Sequence, residues 1–184
     1  MVTPAMSYFL HKGLCNYGFI DESFELFRNR FDKMLDPNTN GTLWEEWWLD
    51  AIGRSGKLQK GRTRSDAQTE SAFAPALFAE YLLGVKFIKP GMKEVLIKKT
   101  KSNLENIESI IPTPQGNLKL NWTSTKSSRK LELEIPEEMI AKIDLESLKN
   151  SRENRLKLNG KILNSVSQKK SILELSKGKY IIEF

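Results

Sequence analysis

Cysteine and histidine are almost missing from this sequence, which contains one of each, Cys15 and His11. A lone cysteine cannot form a disulfide within the chain, and these two residues cannot supply the four ligands of a structural zinc site. We therefore predict no metal site built from soft ligands, and we expect no cofactor. Because cysteine usage is uninformative here, the cellular localisation stays open.

Long apolar runs are also absent from the sequence. No segment approaches the roughly 20 apolar residues of a membrane-spanning helix, and Met1 is followed by a polar, helix-like stretch instead of a secretory signal pattern. We therefore expect no membrane partner and no export signal in this chain. With 39% hydrophobic residues among 184, the chain can build a packed core in one ordinary domain or two small ones.

Basic residues outnumber acidic ones only in the second half of the chain. Residues 1–90 hold 11 of each sign, whereas residues 91–184 hold 18 basic and 12 acidic residues, so the net charge of +6 arises there. These lysines alternate with apolar residues, as in residues 118–120 and 156–158, which is typical of the solvent face of a strand. Since no aromatic and basic recognition motif accompanies the charge, we expect no nucleic-acid partner.

Two amphipathic helices are predicted before the run of turn-forming residues at 36–41. The first starts at the cap Thr3-Pro4 and stops at Gly18, and its apolar residues on one face are Met6, Phe9, Leu10 and Leu14. The second starts near Asp21, and its apolar residues are Phe24, Phe27, Phe31 and Met34. We expect the phenylalanines of both helices to be core. Two such helices cannot bury both apolar faces against each other, so we expect packing partners that this sequence does not contain.

Three of the four tryptophans and three carboxylates fall within residues 41–50, Gly-Thr-Leu-Trp-Glu-Glu-Trp-Trp-Leu-Asp. Tryptophan offers a broad apolar face with one donor, which suits sugar rings, and a neighbouring carboxylate can be tuned for acid or base chemistry. The same spacing fits an aromatic helix face with solvated glutamates. The residues alone leave both interpretations open.

Strand patterns dominate the chain after a glycine-rich basic loop at 51–64 and a third helix, which is predicted from about Ser71 to Leu83 with Pro75 in its first turn. Apolar residues then alternate with polar ones in several short runs. Asn159-Gly160 is a strong hairpin signal, and further strands are predicted at 172–175 and 180–184. This pattern favours a small antiparallel sandwich.

Three of these segments together resemble bacterial α-L-rhamnosidases of glycoside hydrolase family 78. Thr42-x-Trp44-Glu45 is similar to a motif near the end of the catalytic domain of that family, and Leu83-Gly84-Val85 followed by Pro90-Gly91 is similar to the passage into its C-terminal β-domain. Arg64-Ser65-Asp66 matches the start of an Arg-Ser-Asp-x-His motif. At this motif the chain departs from the family, because Gln68 and Glu70 stand where a histidine and a tryptophan are expected.

The resemblance implies an α+β, multidomain fold. Residues 1–89 would be the last helices of an (α/α)6, six-hairpin barrel that forms the catalytic domain, and residues 90–184 would be the C-terminal antiparallel β-sandwich. On this reading Met1 begins inside the catalytic domain of a larger enzyme.

The chemistry implied by the resemblance is inverting hydrolysis of a rhamnose-containing glycan. Glu45 would be the general base, and the substrate-binding residues would be Trp44, Trp47, Arg64, Asp66 and Gln68. Glu46 is the adjacent competitor, although on a helix it would point roughly 100° away from Glu45. Asp50 and Glu70 are weaker candidates.

The general acid of the family lies in an earlier part of the barrel, with no counterpart in residues 1–40. We therefore expect the chain alone to be inactive and to need the N-terminal catalytic portion or a separately encoded chain. Two alternatives stay open. One is a related barrel hydrolase for another sugar, given Gln68 and Glu70. The other is a non-catalytic carbohydrate-binding or assembly module, in which Trp122 and Tyr180 could form a sugar platform.

Overall fold

The computed structural model of the chain describes residues 3–37, 41–47, 67–125, 128–149, 156–163 and 171–184. These residues form two compact units, Met1–Phe78 and Ala79–Phe184, each with its own apolar core. The units divide ahead of the boundary predicted near residues 89–91. The reason is that strand β1 (Val85–Phe87) pairs with strand β2 (Glu94–Ile97), so both sides of the Pro90-Gly91 turn belong to one sheet.

Helices α1 (Ser7–Asn16) and α2 (Ile20–Phe31) open the first unit. Gly18, with φ +91°, ends α1 as predicted, and the amide of Phe19 donates to the carbonyl of Leu14 across this turn. A 3₁₀ turn, Asp32–Leu35, extends α2. Its Met34 is buried with Phe31, which confirms the predicted core role of Phe31.

The packed face of α1 differs from the face that the apolar pattern suggests. Ser7, His11 and Cys15 are the buried residues of α1, whereas Phe9 is 64% exposed and Met6 is 55% exposed. The buried row is held by a polar contact, because His11 Nδ1 lies 2.9 Å from Ser23 Oγ of α2. Met6, Phe9 and Leu10 of the predicted apolar face are therefore exposed, and the core role expected of Phe9 is wrong.

The predicted third helix is broken into three short pieces. A 3₁₀ turn (Thr69–Ser71) precedes helix α3 (Ala74–Leu77), and a π-helical turn (Phe78–Leu82) follows. Pro75 lies in the first turn of α3, as predicted, where no intrahelical donor is lost.

Ten strands and one short helix build the described part of the second unit. After β1 and β2 they are β3 (Asn106–Thr113), β4 (Gly116–Ser124), β5 (Arg129–Ile135), β6 (Ile140–Asp144), α4 (Leu145–Leu148), β7 (Lys157–Leu158), β8 (Lys161–Ile162), β9 (Ile172–Leu175) and β10 (Gly178–Glu183). One sheet has the order β1-β2-β6-β9, and the other has the order β3-β4-β5-β10-β7-β8. The fold is thus α+β with a β-sandwich, as predicted.

Local patterns account for most of these strands. Asn159 and Gly160 both have positive φ, +49° and +75°, as a tight two-residue hairpin turn requires, and they join β7 to β8. One pairing departs from the predicted antiparallel sandwich, because β2 and β6 run parallel, with Val95 opposite Ala141. The chain between these two strands crosses to the other sheet and back, which a parallel pair requires.

The core of the second unit lies between the inner faces of the two sheets. The four-stranded sheet contributes Val85, Val95, Ile97, Ala141, Ile143 and Leu175, and the six-stranded sheet contributes Leu118, Leu120, Trp122, Leu131, Leu133, Ile135 and Ile182. Trp122 is a core residue with 8% exposure, and its ring meets Phe184 edge to face at 6.2 Å. The sugar-platform interpretation is therefore wrong for Trp122.

Three consecutive carbonyls at the end of the π-helical turn are satisfied by the sandwich. The Leu82 carbonyl accepts from Thr100 Oγ1 at 3.2 Å, and the Leu83 carbonyl accepts from Trp122 Nε1 at 2.8 Å. The Gly84 carbonyl accepts from the Lys98 amide at 3.0 Å. A helix end leaves such acceptors without intrahelical partners, so this carbonyl triplet, residues 82–84, joins the turn to the sheets.

A buried carboxylate, that of Glu94, contacts two lysines and connects β2 to β6. Glu94 is only 7% exposed and accepts from Lys89 and from Lys142, whose Nζ lies 2.9 Å from Glu94 Oε2. The Lys89 and Lys142 ammonium groups hold the pKa of the Glu94 carboxyl below its ordinary value. Lys142 belongs to β6, so this contact connects the two strands directly.

We predict that Gly84→Ala strongly destabilises the second unit. Gly84 has φ +72°, and a Cβ there would lie 1.8 Å from the Lys98 carbonyl oxygen. The matched control is Gly91→Ala, since Gly91 has φ +69° but open space around it. Positive φ costs an alanine on the order of 1–3 kcal/mol at either site. Chemical denaturation should show a loss larger by at least about 2 kcal/mol for Gly84→Ala, and equal losses would contradict this packing.

We also predict that the 184-residue chain self-associates through the apolar face of α1. Met6, Phe9 and Leu10 are 55%, 64% and 45% exposed, and adjacent apolar groups of this kind favour association in water. Sedimentation velocity over a range of concentrations should show oligomers that Phe9→Ser reduces. Leu35→Ser, at a 73% exposed leucine outside α1, is the control. A monodisperse wild-type monomer would contradict the prediction.

Candidate functional site

Residues 42–47, which contain the predicted base, form an irregular segment and not a helix. The expected angle of roughly 100° between Glu45 and Glu46 therefore does not apply. Glu45 is half-buried, as are Glu46 and Trp47, while Trp44 is only 1% exposed. A carboxylate at Glu45 is thus flanked by a buried tryptophan on its N-terminal side and reaches solvent only in part.

An aromatic cluster packs against residues 42–47 and holds them in place. Trp44 is buried with Phe31 and Met34, and Trp47 meets the Phe31 ring edge to face with centroids 5.1 Å apart. Phe31 in turn stacks on Phe27 at 4.1 Å. Edge-to-face and offset ring pairs add roughly 0.5–1.5 kcal/mol each beyond their buried area. The two tryptophans therefore act as anchors on either side of the glutamates.

Two hydrogen bonds bring the predicted sugar-contacting segment against the predicted base segment. The backbone N–H of Gln68 donates to the Leu43 carbonyl at 2.8 Å, and Ser71 Oγ donates to the Trp44 carbonyl at 3.0 Å. Ser71 is 1% exposed, so its hydroxyl is well shielded from water. Gln68 and the backbone that carries Glu45 therefore lie in adjacent segments, although 23 residues separate them in the sequence.

The remaining predicted site residues divide between the described and undescribed parts of the chain. Arg64 and Asp66 lie outside the described residues, as does Asp50. Glu70 is exposed, and its carboxylate accepts from the Thr69 hydroxyl at 3.3 Å. Gln68 is half-buried, and its Oε1 is buried without a hydrogen-bond donor among the residues that the structure describes.

Ser71 and His11 are supporting residues that sequence reasoning missed. Ser71 reads as the start of a helix, and nothing in the sequence links it to a carbonyl 27 positions earlier. The His11 ring packs near Phe27 and Phe73, with centroids 5.5 Å and 6.1 Å away, and so borders the aromatic cluster. Burial lowers the pKa of His11, against a smaller opposing effect of the hydrogen bond with Ser23.

Neither a metal cluster nor a membrane span is found where the structure can be described. Among the described residues, no group of three or more histidine, cysteine, aspartate or glutamate side chains could hold a metal ion. In the same residues, no helix has the length and apolar character needed to cross a bilayer.

Comparisons with known proteins confirm the predicted resemblance. Residues 84–158 match the family model described as the bacterial alpha-L-rhamnosidase C-terminal domain. An alpha-L-rhamnosidase from Alteromonas sp. (strain LOR) is 29% identical over 118 residues, which cover 60% of this chain and 12% of the relative. The chain therefore spans a small fraction of that relative's length.

Solved structures agree on the fold. The alpha-L-rhamnosidase from Dictyoglumus thermophilum superposes with a TM-score of 0.66 and 17% identity, covering 92% of this chain and 19% of that one. The Streptomyces avermitilis alpha-L-rhamnosidase, solved in complex with L-rhamnose, gives a TM-score of 0.66 and 16% identity, covering 99% of this chain and 17% of that one. The helical part and the sandwich of this chain thus each have a counterpart in these structures.

We predict that the first unit loses stability as the pH falls below about 6.5, the ordinary histidine pKa. Because burial lowers the pKa of His11 in the folded chain, the unfolded chain takes up a proton first, and the free energy of unfolding decreases. The contribution is fully present above the unfolded pKa and is lost as the pH falls toward the folded pKa. His11 is the only histidine, so unfolding followed by fluorescence of the tryptophans at 44–48 should report this effect directly.

The control for this pH effect is His11→Gln, which removes the titrating group. That variant should be less stable than the wild type at neutral pH but should show a flatter dependence of stability between about pH 7 and about pH 5.5. The same slope in both proteins would contradict the assignment to His11.

Proposed function

Because the chain is similar to the C-terminal portion of bacterial α-L-rhamnosidases, we propose that it supplies the general base of an inverting glycoside hydrolase. Glu45 is the proposed base, and the proposed substrate is a rhamnose-containing glycan. The observation that carries this proposal is the pair of hydrogen bonds that join residues 43–44 to residues 68–71 beside Glu45. They bring together two segments that the family resemblance selects independently, which supports the proposal.

The proposed reaction uses two carboxyl groups in different protonation states. Glu45 takes a proton from water, and the water oxygen bonds to the anomeric carbon on the face opposite the leaving group. A carboxylic acid donates its proton to the glycosidic oxygen as the bond from that oxygen to the anomeric carbon breaks. The two carboxyl groups of such a pair stand roughly 6.5–9.5 Å apart, which leaves room for the water.

We propose different roles for the residues around Glu45. Trp44, whose ring is buried, would hold the Glu45 backbone in position, and the half-buried Trp47 would provide apolar wall to the sugar. Gln68 would donate from its side-chain NH2 to sugar hydroxyls, since its Oε1 is buried and an amide cannot act as an acid or base at neutral pH. Arg64 and Asp66 are proposed as further contacts on the resemblance alone.

Gln68 also supports a second candidate function, the hydrolysis of a related sugar. The rhamnosidase motif has a histidine at the aligned position, and an imidazole and an amide present different hydrogen-bonding groups. L-Rhamnose and other monosaccharides should therefore be compared as ligands, with the shift in melting temperature as the measurement. A larger shift with another deoxy or neutral sugar would favour the second candidate.

We propose that the general acid comes from another segment or a separately encoded chain. The two carboxyl groups act as a unit, so loss of one removes most of the rate. The first measurement is therefore release of nitrophenol from a nitrophenyl α-L-rhamnoside by the 184-residue chain, with and without the polypeptide encoded upstream. Turnover only in the mixture would support a shared site, and turnover by the chain alone would refute the need for another acid.

We predict that Glu45→Gln lowers the turnover number in the active mixture by roughly 10²–10⁴-fold, the usual contribution of a general base. Binding of L-rhamnose should change little, because the amide keeps the size and most hydrogen bonds of the carboxylate. Glu46→Gln is the matched control, as it makes the same change one residue along an equally half-buried segment. An unchanged rate in Glu45→Gln, or a larger loss in Glu46→Gln, would remove Glu45 from the role.

A further inference from the structure

The outer face of the six-stranded sheet, which points away from the sandwich core, carries a regular array of polar side chains. The strand register sets Lys119 of β4, Glu134 of β5 and Lys179 of β10 in one row across the sheet. The next row contains Asn121, Glu132 and Ile181 of the same three strands. Neighbouring strands lie about 4.8 Å apart, so these six side chains crowd into a small area.

A groove lies over these rows and is bounded at one end by the β7–β8 turn. Its volume is about 590 Å³, and Asn159 of that turn lines it together with the two rows. Asn159 is fixed in place, because its side-chain oxygen accepts from the Ile181 amide at 2.8 Å. This volume falls within the range of roughly 300–1,000 Å³ that is usual for small-molecule sites. We call this feature the outer groove.

The charges of the outer groove balance one another. Lys119 Nζ lies 3.2 Å from Glu134 Oε2, and Lys179 Nζ lies 3.6 Å from the same oxygen. Glu132 accepts from Lys130 at 3.1 Å. The Lys119 ammonium, with a further contribution from Lys179, holds the pKa of the Glu134 carboxyl below its ordinary value, so this group is an ionised acceptor at neutral pH.

This arrangement excludes two other classes of partner. A peptide strand cannot add to the outer groove by backbone pairing, because β4, β5 and β10 each already pair with a strand on both sides. A polyanion is disfavoured because the charged side chains that line the groove are two lysines and two glutamates. The groove instead offers carboxylate acceptors, ammonium donors and an amide that does both. This combination suits neutral molecules rich in hydroxyl groups.

We propose that the outer groove is a binding site for a neutral saccharide. Sugar hydroxyls would donate to Glu132 and Glu134 and accept from Lys119 and Lys179, while Asn121 would bond two adjacent hydroxyls. Ile181, which is 41% exposed, provides an apolar contact for the C–H face of a ring. The groove lies wholly within Ala79–Phe184, and the proposal does not depend on Glu45 or on hydrolysis.

The test is titration of the full 184-residue chain with maltotriose, cellotriose and an α-L-rhamnosyl-glucose disaccharide, followed by amide NMR and calorimetry. We expect saturable binding of at least one probe, with shifts at residues of β4, β5 and β10. Asn121→Ala and Glu134→Gln should each weaken that binding roughly tenfold, the effect of losing a hydrogen bond to a charged or fixed polar group. Both variants should stay folded, because the affected side chains are on the surface.

Two control variants distinguish the outer groove from binding elsewhere on the chain. Glu174→Gln makes the same change as Glu134→Gln on a lysine-paired glutamate of the four-stranded sheet, where Glu174 Oε1 lies 3.7 Å from Lys142 Nζ, and it should leave binding unchanged. Gln68→Ala, which removes a proposed sugar contact beside Glu45, should also leave this binding unchanged. Binding that Gln68→Ala weakens but Glu134→Gln does not, binding that prefers a sulfated saccharide, or no saturable binding of any probe would each overturn the proposal.

Discussion

Three consecutive backbone carbonyls accept the hydrogen bonds that join the end of the π-helical turn to the sheets of the second unit. Leu82, Leu83 and Gly84 leave the π-helical turn with acceptors that the turn itself cannot satisfy, and Thr100, Trp122 and Lys98 satisfy them. Lys98 and Thr100 follow directly after β2, whereas Trp122 belongs to β4 of the other sheet. The Leu-Gly-Val motif is thus explained by geometry. Only glycine allows both the positive φ and the close approach of the Lys98 carbonyl.

The candidate site depends on a different constraint, which is the rigidity of irregular backbone. Residues 42–47 have no helical or sheet hydrogen bonds of their own, so their position comes from burial of Trp44 and from the bonds to Gln68 and Ser71. A carboxylate on such a segment is held as firmly as the side chains around it are packed. The aromatic cluster of the first unit is therefore part of the chemistry that we propose for Glu45, although none of its rings needs to touch a substrate.

Sequence reasoning worked where the determining residues are close together in the chain. The Asn159-Gly160 turn, the Gly18 helix stop and the alternation of Leu118 with Leu120 are local signals, and the structure confirms them. Reasoning failed where distant residues decide. His11 of the buried row of α1 bonds with Ser23, Ser71 at the start of the broken third helix donates to Trp44, and β6 pairs in parallel with a strand some 45 residues earlier. None of these contacts between distant residues produces a periodic pattern in the sequence.

The parallel pairing of β2 and β6 also sets the order in which the second unit can fold. Strands β3, β4 and β5 follow one another as hairpins and can pair as soon as they are synthesised. Strand β2 can likewise pair with β1, but its other edge must wait for Ile140–Asp144. Contacts between distant residues form slowly because the intervening loop must first be closed. During that interval one edge of β2 still waits for its partner strand, so the nascent chain is most exposed to aggregation between the completion of β2 and the arrival of β6.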